Sequence, residues 1–227
     1  METTRTTVAR AAAVLVLLLG GGAAAGAGPA AGATTGGVPW YHQLYRSDCE
    51  ASALRMVMAA RGRYAGDVAV LARIGVDRVH YRFGVSGPLS GDPFRAFVGD
   101  PAGDDHLGTG FGVYAPPVAK AARAYGLDVL AAGQGITLAR LRAEAGRGHP
   151  AVVWVDFRWR YVRAGWYVAY DGRRVPYAGP HEHAVVVTGV DGGRVAVNDP
   201  WRGRYTLTEA AFEAGYRTYG EMAVVIR

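Results

Sequence analysis

One cysteine, one lysine and no long apolar run set the first limits on this 227-residue chain. A lone Cys49 excludes an internal disulfide, and with it the disulfide-stapled class of small exported domains. Lys120 is the single lysine, so a formal net charge of +6 is carried almost wholly by arginine. Those arginines are scattered and no run of five or six basic residues occurs, which argues against a nucleic-acid partner. No stretch reaches the ~20 apolar residues of a membrane span. There is no His-Glu-x-x-His, no internal repeat and no linker, so neither a metal, a cofactor nor a second folded domain is expected. What is present is half apolar, 19% charged and rich in glycine, the balance of a globular chain with many turns.

The first 33 residues are set apart. Arg5 and Arg10 precede an apolar stretch from Ala11 to Leu19, then a tract of small residues ending in Ala31-Gly32-Ala33. This is the pattern of a secretory signal peptide, with cleavage expected after Ala33 and a folded domain over 34–227. The mature product is expected to be secreted, without a stable membrane span once the signal is removed. Export sharpens the question of Cys49. A free thiol in an oxidising compartment is either a small buried hydrophobe or a group with a task.

Periodicity predicts a helix over 49–61, with Ser47 or Asp48 as its cap and Gly62 as its stop. A short helix follows at 68–74, capped by Asp67. Residues 76–112, poor in periodicity and rich in Gly, Pro and Asp, read as a long loop, and its 84–112 part as a mobile cover for an active site. Beyond it, Pro116-Pro117 opens a helix to Tyr125, and Thr137 caps one over 138–146. Strands are expected at 127–131, 151–157, 183–190, 194–198 and 222–226. A loose hairpin lies in 158–180, and a helix at 208–216. Helices lead and strands dominate the second half, which is an α+β order.

Two constellations carry chemistry. Cys49 opens the first predicted helix, in the positive end of the helix dipole, which favours thiolate and lowers the pKa from about 8.5. The Cys49 backbone N–H, with a side-chain N–H from Gln43 six residues earlier, can face a developing oxyanion. Downstream, His181-Glu182-His183 heads an apolar run, and alternation puts His181, His183, Val185 and Val187 on one strand face. His183 is placed as the base. His-x-His is also half of a metal site, but no further ligands stand at a suggestive spacing. If Asp191-Gly192-Gly193 is a three-residue loop, Val190 pairs with Arg194, Val187 with Val197 and Val185 with Asp199. Asp199 then lies diagonal to His183, ~7–8 Å away between backbones, and can orient its imidazole. A one-residue slip would turn Asp199 away and leave Asn198 as the reserve.

In order and spacing, Gln43, Cys49, His183 and Asp199-Pro200 resemble the papain-like cysteine peptidases. The closer resemblance is to their bacteriocin-processing branch and the double-glycine leader peptidase-like proteins. Asp48-Cys49 with Ala51, Leu54 and Met56 is similar to the nucleophile segment of that branch. The runs from His183 to Gly189 and from Val195 to Pro200 are similar to its base and orienter strands. The resemblance covers most of residues 38–227. It implies a papain-like fold, with a helical part carrying Cys49 packed on an antiparallel sheet carrying His183 and Asp199. The chain departs from the pattern at Glu50, where glycine commonly follows the cysteine, and at the loop around Gly91–Phe97. Classical members are cytoplasmic domains fused to transporters, so their substrate does not carry over.

These readings converge on a secreted cysteine hydrolase that cuts a peptide or amide bond through Cys49, His183, Asp199 and Gln43 and an acyl-enzyme. Acyl transfer to an amine would use the same residues. A non-catalytic binding module would keep the same fold. Nothing in the sequence specifies an oligomeric state.

Overall fold

The first helix, α1 (Cys49–Ala60), is buried on nearly every side, and the rest of the fold is built around it. Leu54, Met56, Val57 and Met58 are all fully excluded from solvent. A helix apolar all round belongs inside a core, and each such side chain contributes about 1.5–3 kcal/mol. The computed structural model describes residues 1–2 and 37–227. The leader expected over 1–33, its first two residues aside, lies outside the described residues.

Two further helices pack on α1: α2 (Asp67–Ile74) through Val70, Leu71 and Ile74, and α3 (Ala115–Ala124), which starts with prolines in its first turn. Asp67 does not cap α2, as was expected; Gly66 holds the cap position. The Asp67 carboxylate instead accepts from Leu44 N–H at 3.0 Å and Arg55 at 3.1 Å, tying the segment before α1 to the helix pair. The stretch between α2 and α3 is more ordered than a long loop. It contains β1 (Val76–Asp77), β2 (Phe97–Gly99) and β3 (Gly110–Gly112), paired in that order as a small sheet. Phe97 and Phe111 are core residues, so these parts of the expected cover are packed into the helical lobe.

The second half supplies β4 (Val129–Gly133), α4 (Leu138–Ala145), β5 (Ala151–Asp156), the hairpin of β6 (Gly165–Val168) and β7 (Arg174–Tyr177), then β8 (Glu182–Asp191), β9 (Arg194–Asp199), β10 (Gly203–Thr208), α5 (Glu209–Arg217) and β11 (Ala223–Ile226). Six of these strands form one antiparallel sheet in the order β10-β9-β8-β5-β11-β4. Val152, Trp154, Ala184 and Val186 pack towards α1 and α3, whereas Val153, Val155, Val185 and Val187 pack with Leu141 of α4 and Phe212 of α5. A sheet covered on both faces explains why β5 and β8 read as continuous apolar runs. Trp154 sits at the junction of helical lobe and sheet, fully buried, with its indole N–H donating to the Val113 carbonyl at 2.9 Å.

Candidate active site

Cys49 is the first residue of α1, as the capping pattern predicts, but the local chemistry differs from a simple cap. Asp48 holds the N-cap position without a capping bond; its Oδ1 instead accepts from Tyr45 N–H at 3.0 Å and closes the turn before the helix. The Cys49 thiol donates to Oε2 of Glu50 at 3.4 Å, and Sγ accepts from Ala184 N–H at 3.3 Å. Glu50 in turn accepts from the Val113 N–H through Oε1. The alternation that puts Ala184 towards α1 also brings Glu182 there, and both of its carboxylate oxygens are buried without a hydrogen-bond partner among the described residues. Burial, then the carboxyls of Glu50 and Glu182, push the thiol well above its ordinary pKa, against the smaller lowering by the Ala184 N–H. The thiolate-favouring end of a helix dipole is therefore outweighed in this structure: two buried acidic groups oppose a third negative charge. Both carboxyls are raised as well, chiefly by desolvation.

The β8–β9 hairpin delivers the other half of the site by a route different from the one expected. Gly192 and Gly193, with φ of 54° and 74°, form a two-residue turn, and Asp191 pairs with Arg194 rather than Val190. That shifts the register by one residue. A bulge between Val187 and Gly189 shifts it back, so Val187 pairs with Val197 and Val186 with Asn198. Asp199 thus arrives where the three-residue loop would have put it. The Nε2–H of His183 donates to Oδ1 of Asp199 at 2.8 Å, leaving Nδ1 as the nitrogen free of Asp199. The ring is also fixed by the edge of Phe157, with centroids 5.0 Å apart at 88°.

Asp199 is fully buried and satisfied on both oxygens. Oδ1 also accepts from the N–H groups of Trp201 at 2.8 Å and Arg202 at 3.0 Å, and Oδ2 from the Tyr205 hydroxyl at 2.8 Å. Burial alone would raise its pKa, but the His183 contact, Tyr205 and Trp201 N–H together outweigh it and hold the carboxyl at about 2. One residue therefore starts the Pro200 turn and grips the imidazole. Asn198, the reserve, points elsewhere: its Nδ2 donates to the carbonyls of Val38 and Pro39.

Cys49, His183 and Gln43 line one cleft, with Glu182, Phe157 and Trp201. Gln43 is buried in its wall, yet its Nε2 donates to the carbonyls of Tyr45 and Arg46, both at 2.9 Å, which occupies both amide hydrogens. His181 lies just outside β8 and stacks edge-on with His106 from the 84–112 segment, 5.1 Å between centroids. Residues 104–106 and Phe111 also line the cleft, so part of the expected cover does reach it. Sequence reasoning missed Glu50 and Glu182 as site residues. The signal available was an acidic residue inside an otherwise apolar helix start, and a second one between two histidines.

The model of the Peptidase_C39 like family matches residues 35–224. The chain belongs to that family. Among curated proteins, the uncharacterized protein YvpB of Bacillus subtilis (strain 168) is 29% identical over 184 residues, covering 79% of this chain and 68% of YvpB. Among solved structures, a protein of Bacillus anthracis described as a C39-like peptidase superposes with a TM-score of 0.72 at 22% identity, over 86% of this chain and 96% of its own. A double glycine motif protease from an AMS/PCAT transporter, in complex with its leader peptide, matches with a TM-score of 0.46 at 19% identity, over 84% and 91%. The α+β architecture of this C39-like chain is the papain-like fold: a buried helix headed by the cysteine, against an antiparallel sheet bearing the histidine.

Proposed function

We propose that this C39-like protein is an exported cysteine hydrolase that cleaves a peptide or amide bond, with Cys49 as nucleophile, His183 as base and Asp199 as the residue that orients the base. The observation that carries the reading is the 2.8 Å bond between His183 Nε2 and Asp199 Oδ1, in a cleft that Cys49 shares. Asp199 commits Nε2 as a donor, so the neutral ring has its lone pair on Nδ1. On substrate entry the thiol leaves Glu50 and passes its proton to Nδ1. The thiolate attacks the acyl carbon, and the imidazolium returns the proton to the leaving amine. Water, deprotonated by the same ring, then releases the acyl group. The backbone N–H of Cys49 faces the developing oxyanion. Gln43 joins it by releasing one of its two carbonyl partners.

A second reading has one observation in its favour. The thiol is bonded to Glu50 and held protonated by two buried carboxyls, the resting state of a site that binds without cutting. The two are separated by incubating the protein with a peptide library and, in parallel, a thiol-directed alkylating probe at neutral pH. Cleavage products that vanish in Cys49→Ala, with fast labelling of Cys49, are expected of the hydrolase. An inert thiol and no product from any library member would leave the binding module.

A further inference from the structure

The group of acidic and sulfur ligands under the nucleophile has a property that the hydrolase reading leaves unused. Ligand atoms of Cys49, Glu50 and Glu182 all lie within 4.8 Å of one another, and all are buried. Among the described residues, no arginine, lysine or histidine forms an ion pair with Glu50 or Glu182. Among the described residues neither Glu182 oxygen has a hydrogen-bond partner, Glu50 included, so the two carboxyls face each other across a gap and do not share a proton directly. The gap is kept open by Gly112: a Cβ there would collide with Oε1 of Glu50 and stand 2.9 Å from Oε2 of Glu182. Buried acids left in this condition need protons or a cation, because burying isolated charges is very costly.

We propose that Cys49, Glu50 and Glu182 form a site for a divalent transition metal of the zinc class, with the nucleophile's own sulfur as one ligand. The ligand set fits: thiolate and carboxylate oxygens are zinc donors, with Zn–S near 2.3 Å and Zn–O near 2.0–2.2 Å. Tetrahedral bonds of those lengths separate neighbouring ligand atoms by about 3.3–3.7 Å. Cys49 Sγ and Glu50 Oε2 are already 3.4 Å apart. The remaining separations, at most 4.8 Å, ask a glutamate for a movement on the order of 1 Å. The ion enters from the cleft, which both Cys49 and Glu182 line. A thiolate and two carboxylates carry three negative charges, of which the ion cancels two, and binding releases the protons those groups held. On the hydrolase reading, a loaded site withholds the sulfur lone pair from attack, so the metal is a reversible off-state that a chelator lifts.

The test uses the purified full-length chain, stripped with a chelator and titrated with Co²⁺, whose thiolate complexes absorb in the near ultraviolet by charge transfer. The expected result is a band that saturates at one ion per chain and is absent in Cys49→Ser. Affinity should fall at least ~10-fold in Glu182→Gln, since even partners outside the ligand set cost 10–100-fold. His183→Ala should leave the band unchanged. As a second readout, Zn²⁺ should slow alkylation of Cys49 by iodoacetamide in the wild type and much less in Glu182→Gln, whose fold is checked by circular dichroism. No band in the wild type overturns the site. So does a band that Glu182→Gln leaves at full affinity, or one that requires His183, which would put the ion on the Cys–His pair instead. Should Glu182→Gln fail to fold, the wild-type and His183→Ala titrations still decide. None of these readouts needs hydrolysis, so a failed peptidase reading and a failed metal site are told apart.

Discussion

Replacing Asp199 by asparagine removes one charge and the oxygen that accepts from the Tyr205 hydroxyl, and the structure says how much that charge should matter. The substituted side chain keeps a carbonyl oxygen to accept from His183 Nε2, Trp201 N–H and Arg202 N–H, so the turn into Pro200 survives. What is lost is a buried carboxylate held at about 2 instead of 3.8. At roughly 1.4 kcal/mol per pKa unit, that difference is worth about 2.5 kcal/mol of stability at neutral pH. The sign follows from the depressed pKa. The folded chain binds its proton later than the unfolded one, so this stability is present above about pH 4 and is lost as pH falls through about 2. Urea unfolding of both proteins at pH 7, 4 and 2.5 measures it. Asp199→Asn should be less stable by about 2.5 kcal/mol at pH 7, and the gap should close as the pH falls from 4. A gap of the same size at every pH would mean that the loss is packing or turn geometry. No gap at pH 7 would mean that His183 and Tyr205 do not favour the carboxylate at all.

Further outcomes are expected in the same family of experiments. With a peptide substrate in hand, Cys49→Ala should abolish turnover. His183→Ala should lower it by about 10²–10⁴-fold, Asp199→Ala should cost less, and His181→Ala should leave turnover largely intact; a dead His181→Ala beside an active His183→Ala would move the base. Gln43→Ala should cost on the order of 10²–10³-fold if the amide serves the oxyanion. A loss under about tenfold with a lowered Tm would leave Gln43 as the brace of the Tyr45–Arg46 turn, a role worth about 1–3 kcal/mol. Asp48 is pushed to about 7 by burial and then by Asp67, and its Oδ2 has no partner among the described residues. A raised carboxyl stabilises fully below about pH 4 and loses that contribution as pH climbs through 7. Thermal melts of Asp48→Asn should therefore match the wild type near pH 4 and exceed it at pH 8; a wild-type Tm that rises from pH 5 to 8 relative to Asp48→Asn would refute the raised pKa.

Local patterns in the sequence were enough for the helices, for the longer strands other than β10 and for the order of the candidate site. Pro116-Pro117 suits the first turn of a helix, Thr137 caps α4 through its own hydroxyl, and Gly192-Gly193 turns a hairpin without side-chain strain. These depend on a few adjacent residues, so no tertiary information is needed. A bond such as His183 to Asp199 was also within reach, because a hairpin converts a short sequence separation into a predictable cross-strand distance. Even so, the expected alignment held only because a bulge at Thr188 cancelled a turn one residue shorter than anticipated, and nothing in the local sequence announces that bulge. The small sheet inside residues 76–112 was illegible for a similar reason. Its strands of two or three residues are too short to show a period and exist because Phe97 and Phe111 find the helical core. The electrostatics of Cys49 were decided wholly by the tertiary structure. Helix position alone argues for a thiolate, whereas Glu50 aimed at Val113 and Glu182 brought in from the far end of the chain argue for a thiol. A dipole is a property of one helix and can be read along it. The field at a buried sulfur is the sum over everything packed around it, and that sum exists only once the sheet and the helix have met.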